Sequence, residues 1–433
     1  MQLHNKRKAT VWASVAVCCM LAPSALAYAN AGQSVSSSVY GNAGGSASQP
    51  SVGSATYVSV PASPQYAPAV TSVTYAAYKP VPAVTGILRI GLERSSAIDE
   101  NGTLWLWGHS VSAQGESTPR QALDSYKVID AYAGSHNAAL LQDGSVLTWG
   151  DNRFGQLGDG TTTSREVPAT VAGLSGIVGL SAGATHTLAL KDDGTVWTWG
   201  ANAFGQIGDG TNSVRTSPVQ VNGLDDIVSV TAGGQFSLAV SRDRAVWAWG
   251  ANQHGQLGDG TIVSRNAPVR IGSLNGIKAV SAGYDHALAL TESGAIFSWG
   301  HNTYGELGDG TIESRTVPVQ VTGLQDATAI SAGAWFSMAL KRDGSVWAWG
   351  ANGSGQLGNG ISKNQNVPVQ VPGLTATGIS AGLHAAGAAG TNGAFYTWGS
   401  NVNGQLGIGG ASKHIQLSPQ SMPGLRAKSD SPK

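Results

Sequence analysis

Residues 227–276 read IVSVTAGGQFSLAVSRDRAVWAWGANQHGQLGDGTIVSRNAPVRIGSLNG. Four short segments in it, 227–230, 237–240, 246–249 and 268–271, are rich in β-branched or aromatic residues and alternate as half-buried strands do. The middle two are separated by a tight-turn pair, here Asp243-Arg244. The corresponding pairs elsewhere are Asn101-Gly102, Asp143-Gly144, Asp193-Gly194, Ser293-Gly294, Asp343-Gly344 and Asn392-Gly393, all suited to positive φ. The stretch therefore predicts a four-stranded antiparallel sheet.

The stretch is one copy of a repeat. Trp-Gly recurs at 107/108, 149/150, 199/200, 249/250, 299/300, 349/350 and 398/399, with spacings of 42, 50, 50, 50, 50 and 49 residues. A single four-stranded sheet has too little apolar area to stand alone, so the units must bury their faces against one another. Radial stacking about an axis does this and leaves only short edges. An open β-solenoid is the competing arrangement, but its coils are usually shorter than this repeat. The expected fold is all-β, a seven-bladed β-propeller of about 50-residue four-stranded repeats filling residues 81–425. Residues 81–87 (VPAVTGI) resemble the outer-strand segment 167–174, and residues 418–422 are a related segment. One of the two is expected to complete a blade with strands from the opposite terminus.

Outside the repeats, Lys6-Arg7-Lys8, an apolar run over 11–21 and Pro23-Ser24-Ala25-Leu26-Ala27 have the order of a secretory signal peptide, residues 1–27, cleaved after Ala27. The apolar run is too short to span a bilayer, which takes about 20 residues. Val17 disfavours lipid attachment at Cys18. Export to the periplasm, cell surface or medium is therefore expected. Both cysteines fall in this segment, so the mature chain would hold no disulfide. Cleavage also removes three cations from a chain whose 25 Lys+Arg and 25 Asp+Glu balance, leaving it mildly acidic. That argues against nucleic acid as a partner. Residues 28–80, rich in Ser, Ala, Gly, Pro and Tyr and nearly uncharged, read as a linker, and 426–433 as a disordered tail.

The most faithfully repeated residues are Gly, Trp, Asn, Leu and Pro, which serve turns and packing. Trp107, Trp149, Trp199, Trp249, Trp299, Trp349 and Trp398 are expected between blades, with Trp105, Trp197, Trp247 and Trp347 on the same sheet face. The string Gly155-Gln156-Leu157-Gly158-Asp159-Gly160 has neither the Lys-Ser/Thr ending of a P-loop nor its strand-to-helix setting, and reads as a turn. Asp159, Asp209, Asp259 and Asp309 offer one carboxylate per unit, too few for calcium. Among His109, His136, His186, His254, His286, His301, His384 and His414 no metal-ligand spacing occurs. His186 and His286 share their repeat position with Phe236 and Phe336, which marks a packing site. No catalytic group, metal or cofactor is expected.

The WGxNxxGQLGDG string, the Arg and Pro-Val after it and the Ser-Ala-Gly with His before it resemble the repeat of the regulator of chromosome condensation family. Units two to six fit closely. Unit one lacks GQLGDG, and unit seven has Ile408 where Asp is usual. The resemblance implies a seven-bladed propeller with four-stranded blades, in a family that includes an exchange factor for a small GTPase. An export signal and the lack of an inserted wedge argue against exchange here. Function is then sought where the units differ. The two residues after the repeated Gly change from unit to unit and include Glu93, Thr185, Gln235, Tyr284, Asp285, Trp335 and His384. They are the candidate binding residues for a protein partner of a monomeric propeller, Tyr and Trp being favoured contact residues. The alternatives are a proteinaceous inhibitor of a secreted or periplasmic enzyme, an exchange factor, and an enzyme acting on glycans.

Overall fold

The repeat at 227–276 folds as four strands, Ile227–Ala232, Phe236–Ser241, Val246–Gly250 and Arg265–Arg270, in an antiparallel meander. The computed structural model describes residues 87–91, 94–108, 116–133, 135–409 and 415–427. The expected export signal with Ala27, the expected linker and most of the expected tail lie outside these residues. The same sheet forms seven times, from the strand Ile87–Ile90 to the strand Gln416–Arg426. In the last two blades one long strand, Gln365–Ala381, is outermost in the sixth and innermost in the seventh. The turn glycines adopt the expected left-handed backbone, as at Gly194 (φ 83°). Arg244, in the unit that lacks the glycine, is held in the same region at φ 67°.

The innermost strands line a central channel of about 340 Å³. The outermost strands, such as Arg265–Arg270, face solvent along most of their length. Among the described residues the core consists of seven apolar clusters, one at each seam between blades. At the fourth seam Phe236, Leu238 and Val240 of one blade pack on Ala287, Ala289 and Trp299 of the next. Trp105, Trp197, Trp247 and Trp347 are half-buried against such clusters, as expected of aromatic rings on the packed face. Burying each large ring is worth roughly 2–3 kcal/mol, so the seams hold the ring together.

A hydrogen bond repeats at the seams. Trp199, Trp249, Trp299, Trp349 and Trp398 donate Nε1–H to the backbone carbonyls of Gln156, Gln206, Gln256, Glu306 and Gln356 of the preceding blade, at 2.8–2.9 Å. Trp107 does the same to Gln405 of the last blade at 2.7 Å. Trp149 follows the unit without a GQLG string. Asn137 instead, with its amide turned so that Oδ1 faces them, accepts from Trp149 Nε1 at 3.2 Å and Arg94 Nη1 at 2.9 Å. The Ser of Ser-Ala-Gly ties the inner strands: Ser281 Oγ accepts from Ala332 N–H, and Ser380 Oγ from Ile90 N–H, both at 2.9 Å.

Closure differs from the expectation. The C-terminal strand Gln416–Arg426 pairs with the strand Ala394–Gly399 of its own blade, and the first blade supplies its own innermost strand. Among the described residues no strand passes between the termini. The first and last blades join by the same kind of tryptophan bond and packing as the seams at Trp199 to Trp398, including Leu88, Ile90 and Trp107 against Phe395, Leu406 and Met422. A seam built wholly from side-chain packing and short bonds does not require strand exchange to close.

The repeat position shared by His and Phe is a seam position. His136, His186 and His286 place Nε2 at 2.8, 3.0 and 2.9 Å from Thr187 Oγ1, Ser237 Oγ and Ser337 Oγ of the next blade. Each hydroxyl gives its own proton to a carbonyl, of Gln156, Gln206 or Glu306. The ring Nε2–H is therefore the donor to it. Where the blade carries Phe236 or Phe336, the facing residue is Ala287 or Ala386, which needs no donor. Burial depresses all three imidazoles, to about 4 at His136, about 3 at His186 and about 4 at His286, so they are neutral core residues.

Candidate functional site

Each Ser-Ala-Gly ends an innermost strand in a tight turn: Gly283 N–H donates to His286 O and Gly333 N–H to Phe336 O, both at 2.8 Å. The two variable residues are the centre of that turn. Gly283 must lack a side chain, because a Cβ there would stand 2.5 Å from Gly333 O in the next blade's turn. The second strand begins opposite the end of the third, with His286 paired to Gly300 and Phe336 to Gly350. The turn and the loop after Trp-Gly therefore emerge at one end of the ring. Backbone bonds lock them together: His301 N–H to Asp285 O at 2.9 Å, Ala351 N–H to Trp335 O at 2.8 Å and Ser400 N–H to His384 O at 2.9 Å.

Three of the sequence-selected residues meet there. The ring centroids of Tyr284 and Trp335 are 6.0 Å apart, and those of Trp335 and His384 are 5.4 Å apart. Asp285 lies beside Tyr284 and accepts from Gln256 Nε2 at 3.0 Å. Thr185 and Gln235 occupy the equivalent turns of blades three and four, and among the described residues no side-chain bond or ring contact joins them to the cluster. Glu93 lies outside the described residues. Tyr284 also lines the mouth of the central channel.

The loops after Trp-Gly extend the cluster with residues that the sequence reading left apart. Tyr304 is 6.4 Å from Trp335 and 6.3 Å from His301, which meets His254 edge-on at 5.0 Å. Beneath them Glu306, fully buried, bonds to His301 Nδ1 and accepts from Tyr304 N–H at 2.8 Å. The available signal was departure from the repeat. Glu306 replaces the Gln of every other GQLG string, and His301 stands where units two, three, four, six and seven have Asp151, Ala201, Ala251, Ala351 and Ser400, unit one alone also having a histidine, His109.

Burial works to raise the Glu306 carboxyl, yet the bond from His301 holds it below the usual range. The same bond lifts His301 above its ordinary value. Burial raises Asp285 and Tyr284 and lowers His384. The turn aspartates are different: Asp259 accepts from Thr261 N–H and from Arg265 at 2.9 Å, and Asp309 from Thr311 N–H and Arg315 at 2.8 Å. Their oxygens are used within the loop. Among the described residues no three His, Cys, Asp or Glu side chains are grouped to hold a metal ion.

The model of the RCC1-like domain matches residues 111–431. The E3 ubiquitin-protein ligase HERC2 of Homo sapiens is 37% identical over 103 residues, 21% of this chain but only 2% of that protein. The structure of Prp20p from Saccharomyces cerevisiae, described with its binding properties to Gsp1p and histones, superposes with a TM-score of 0.61 at 23% identity, over 68% of this chain and 80% of that one. Yeast RCC1 (Prp20) bound by Kap60 gives a TM-score of 0.67 at 21% identity, over 79% and 85%. At these identities the solved structures attest to the fold.

Proposed function

The chain belongs to the RCC1-like domain family, and on that premise we propose that it is an exported, non-catalytic scaffold whose loop end binds a protein partner. The observation that carries this reading is the cluster of Tyr284, Trp335, His384 and Tyr304, brought by blades five to seven to one end of the ring and left partly open to solvent. The Trp of each Trp-Gly pair is packed away in a seam, whereas these four rings stay partly exposed where no seam needs them. The outer parts of the same loops carry exposed aliphatics, Ile262 at 63% and Ile312 at 61%. Prp20p is described as binding Gsp1p and histones, and Kap60 as bound to yeast RCC1. Macromolecular partners are thus a use to which this fold is put. The segment over residues 1–27, read as an export signal, points to a partner outside the cytosol.

The test places a photo-crosslinking residue at Thr303, on the loop end, or at Asp193, in a turn at the opposite end, in the native organism. A protein captured from position 303, not from 193, and lost when Trp335 is also replaced by Ala, supports the reading. Equal capture from both ends, or capture indifferent to Trp335→Ala, refutes it.

A further inference from the structure

We propose that the cluster around Trp335 receives a cationic side chain, lysine or arginine, of the partner protein, with Asp285 as its counter-charge; this rests on the protein-binding reading above. Three aromatic rings surround the position: Tyr284, Tyr304 and His384 lie 6.0, 6.4 and 5.4 Å from Trp335. The faces of Trp and Tyr attract a cation placed within about 6 Å of the ring centre, most strongly where water is partly excluded. All four rings come from backbone-locked turns and loops, so the cluster is preformed and little ordering cost falls on binding.

The second observation is electrostatic. At this end of the ring Asp151, Asp159, Asp209, Asp259 and Asp309 are each paired with an arginine of their own blade. Asp285 has the Gln256 amide, and among the described residues no Lys or Arg lies within ion-pair distance of it. A half-buried carboxylate without a Lys or Arg partner, beside open aromatic faces, is the complement of a basic side chain. His301 and His254 also face Asp285, but His301 is bonded to Glu306 below, so the Asp285 carboxylate keeps room for a cation of its own. The loops after Trp-Gly in blades four to six also carry the exposed aliphatics Ile262, Val263, Ile312 and Ile361, which suit a protein surface better than a free small cation.

The probes are blocked tripeptides, Gly-Arg-Gly and Gly-Lys-Gly, with Gly-norleucine-Gly as the neutral counterpart and tetramethylammonium as a small cation. The full chain is observed through the Trp335 indole NMR signal, assigned with Trp335→Phe. Saturable shifts with the two basic peptides and none with norleucine are expected. Asp285→Asn should weaken them about tenfold while thermal melting stays unchanged. Equal shifts by the norleucine peptide would make the site an apolar dock. Tighter binding of tetramethylammonium than of either peptide would make it a small-molecule site. Either result, no saturable shift, or indifference to Asp285→Asn overturns the proposal. If the peptides fail while crosslinking from Thr303 still depends on Trp335, only the cation reading falls. Failure of both removes the protein-binding reading as well.

Discussion

Replacing His186 by Phe together with Ser237 by Ala transplants the chemistry of the adjacent seam, where Phe236 faces Ala287, into the seam between blades three and four. In the native pair, burial carries the imidazole from its ordinary 6.5 down to about 3, so the folded protein keeps it neutral while the unfolded chain protonates it. A depressed pKa means that the contribution is intact above 6.5 and is lost progressively as pH falls from 6.5 toward about 3. At about pH 5 the unfolded histidine has gained its proton and the folded one has not, which costs about 2 kcal/mol relative to about pH 8. The Phe/Ala variant lacks this linkage. The native protein should therefore lose about 2 kcal/mol more than the variant between those two pH values, other titrating groups cancelling in the comparison. Urea unfolding followed by tryptophan fluorescence at both pH values measures the difference. NMR titration of the His186 ring reads the same quantity without requiring two-state unfolding. Parallel pH dependence in the two proteins, or a His186 signal titrating near 6.5, would sink the argument.

Two further substitutions test the scaffold. Trp299→Phe leaves Gln256 O without its indole donor, whereas after Trp249→Phe Gln206 O still accepts from Ser237 Oγ at 2.9 Å. The first should cost about 1 kcal/mol more than the second in chemical denaturation, and equal costs would contradict the seam-bond account. Arg244 is a non-glycine held at φ 67°, and its exposed pair with Glu292 at 3.0 Å is worth little. Arg244→Gly should thus raise stability by about 0.5–1 kcal/mol, and a lower unfolding midpoint would show that the turn is not strained.

The candidate site was half legible. Tyr284, Asp285, Trp335 and His384 could be picked out because they vary inside an otherwise constant turn, and the structure sets three of them in one cluster with Asp285 at its edge. Thr185 and Gln235 vary in the same way but remain outside it. His254, His301, Tyr304 and Glu306 were visible only as separate departures from the repeat. They lie in a different loop, which reaches the turns only because the second strand starts where the third ends.

The sequence by itself determined the blade count, the four strands of each blade and the tight turns between them. Those depend on local alternation, glycine placement and the inability of one small sheet to bury its own face. Tertiary structure decided the contacts across seams: that His186 meets Ser237 while Phe236 meets Ala287, that the C-terminal strand pairs within its own blade, and that rings from three blades converge beside Asp285. The physical reason is that such contacts join residues about one repeat apart, and their partners are set by how neighbouring sheets rotate and pack rather than by any preference within either segment.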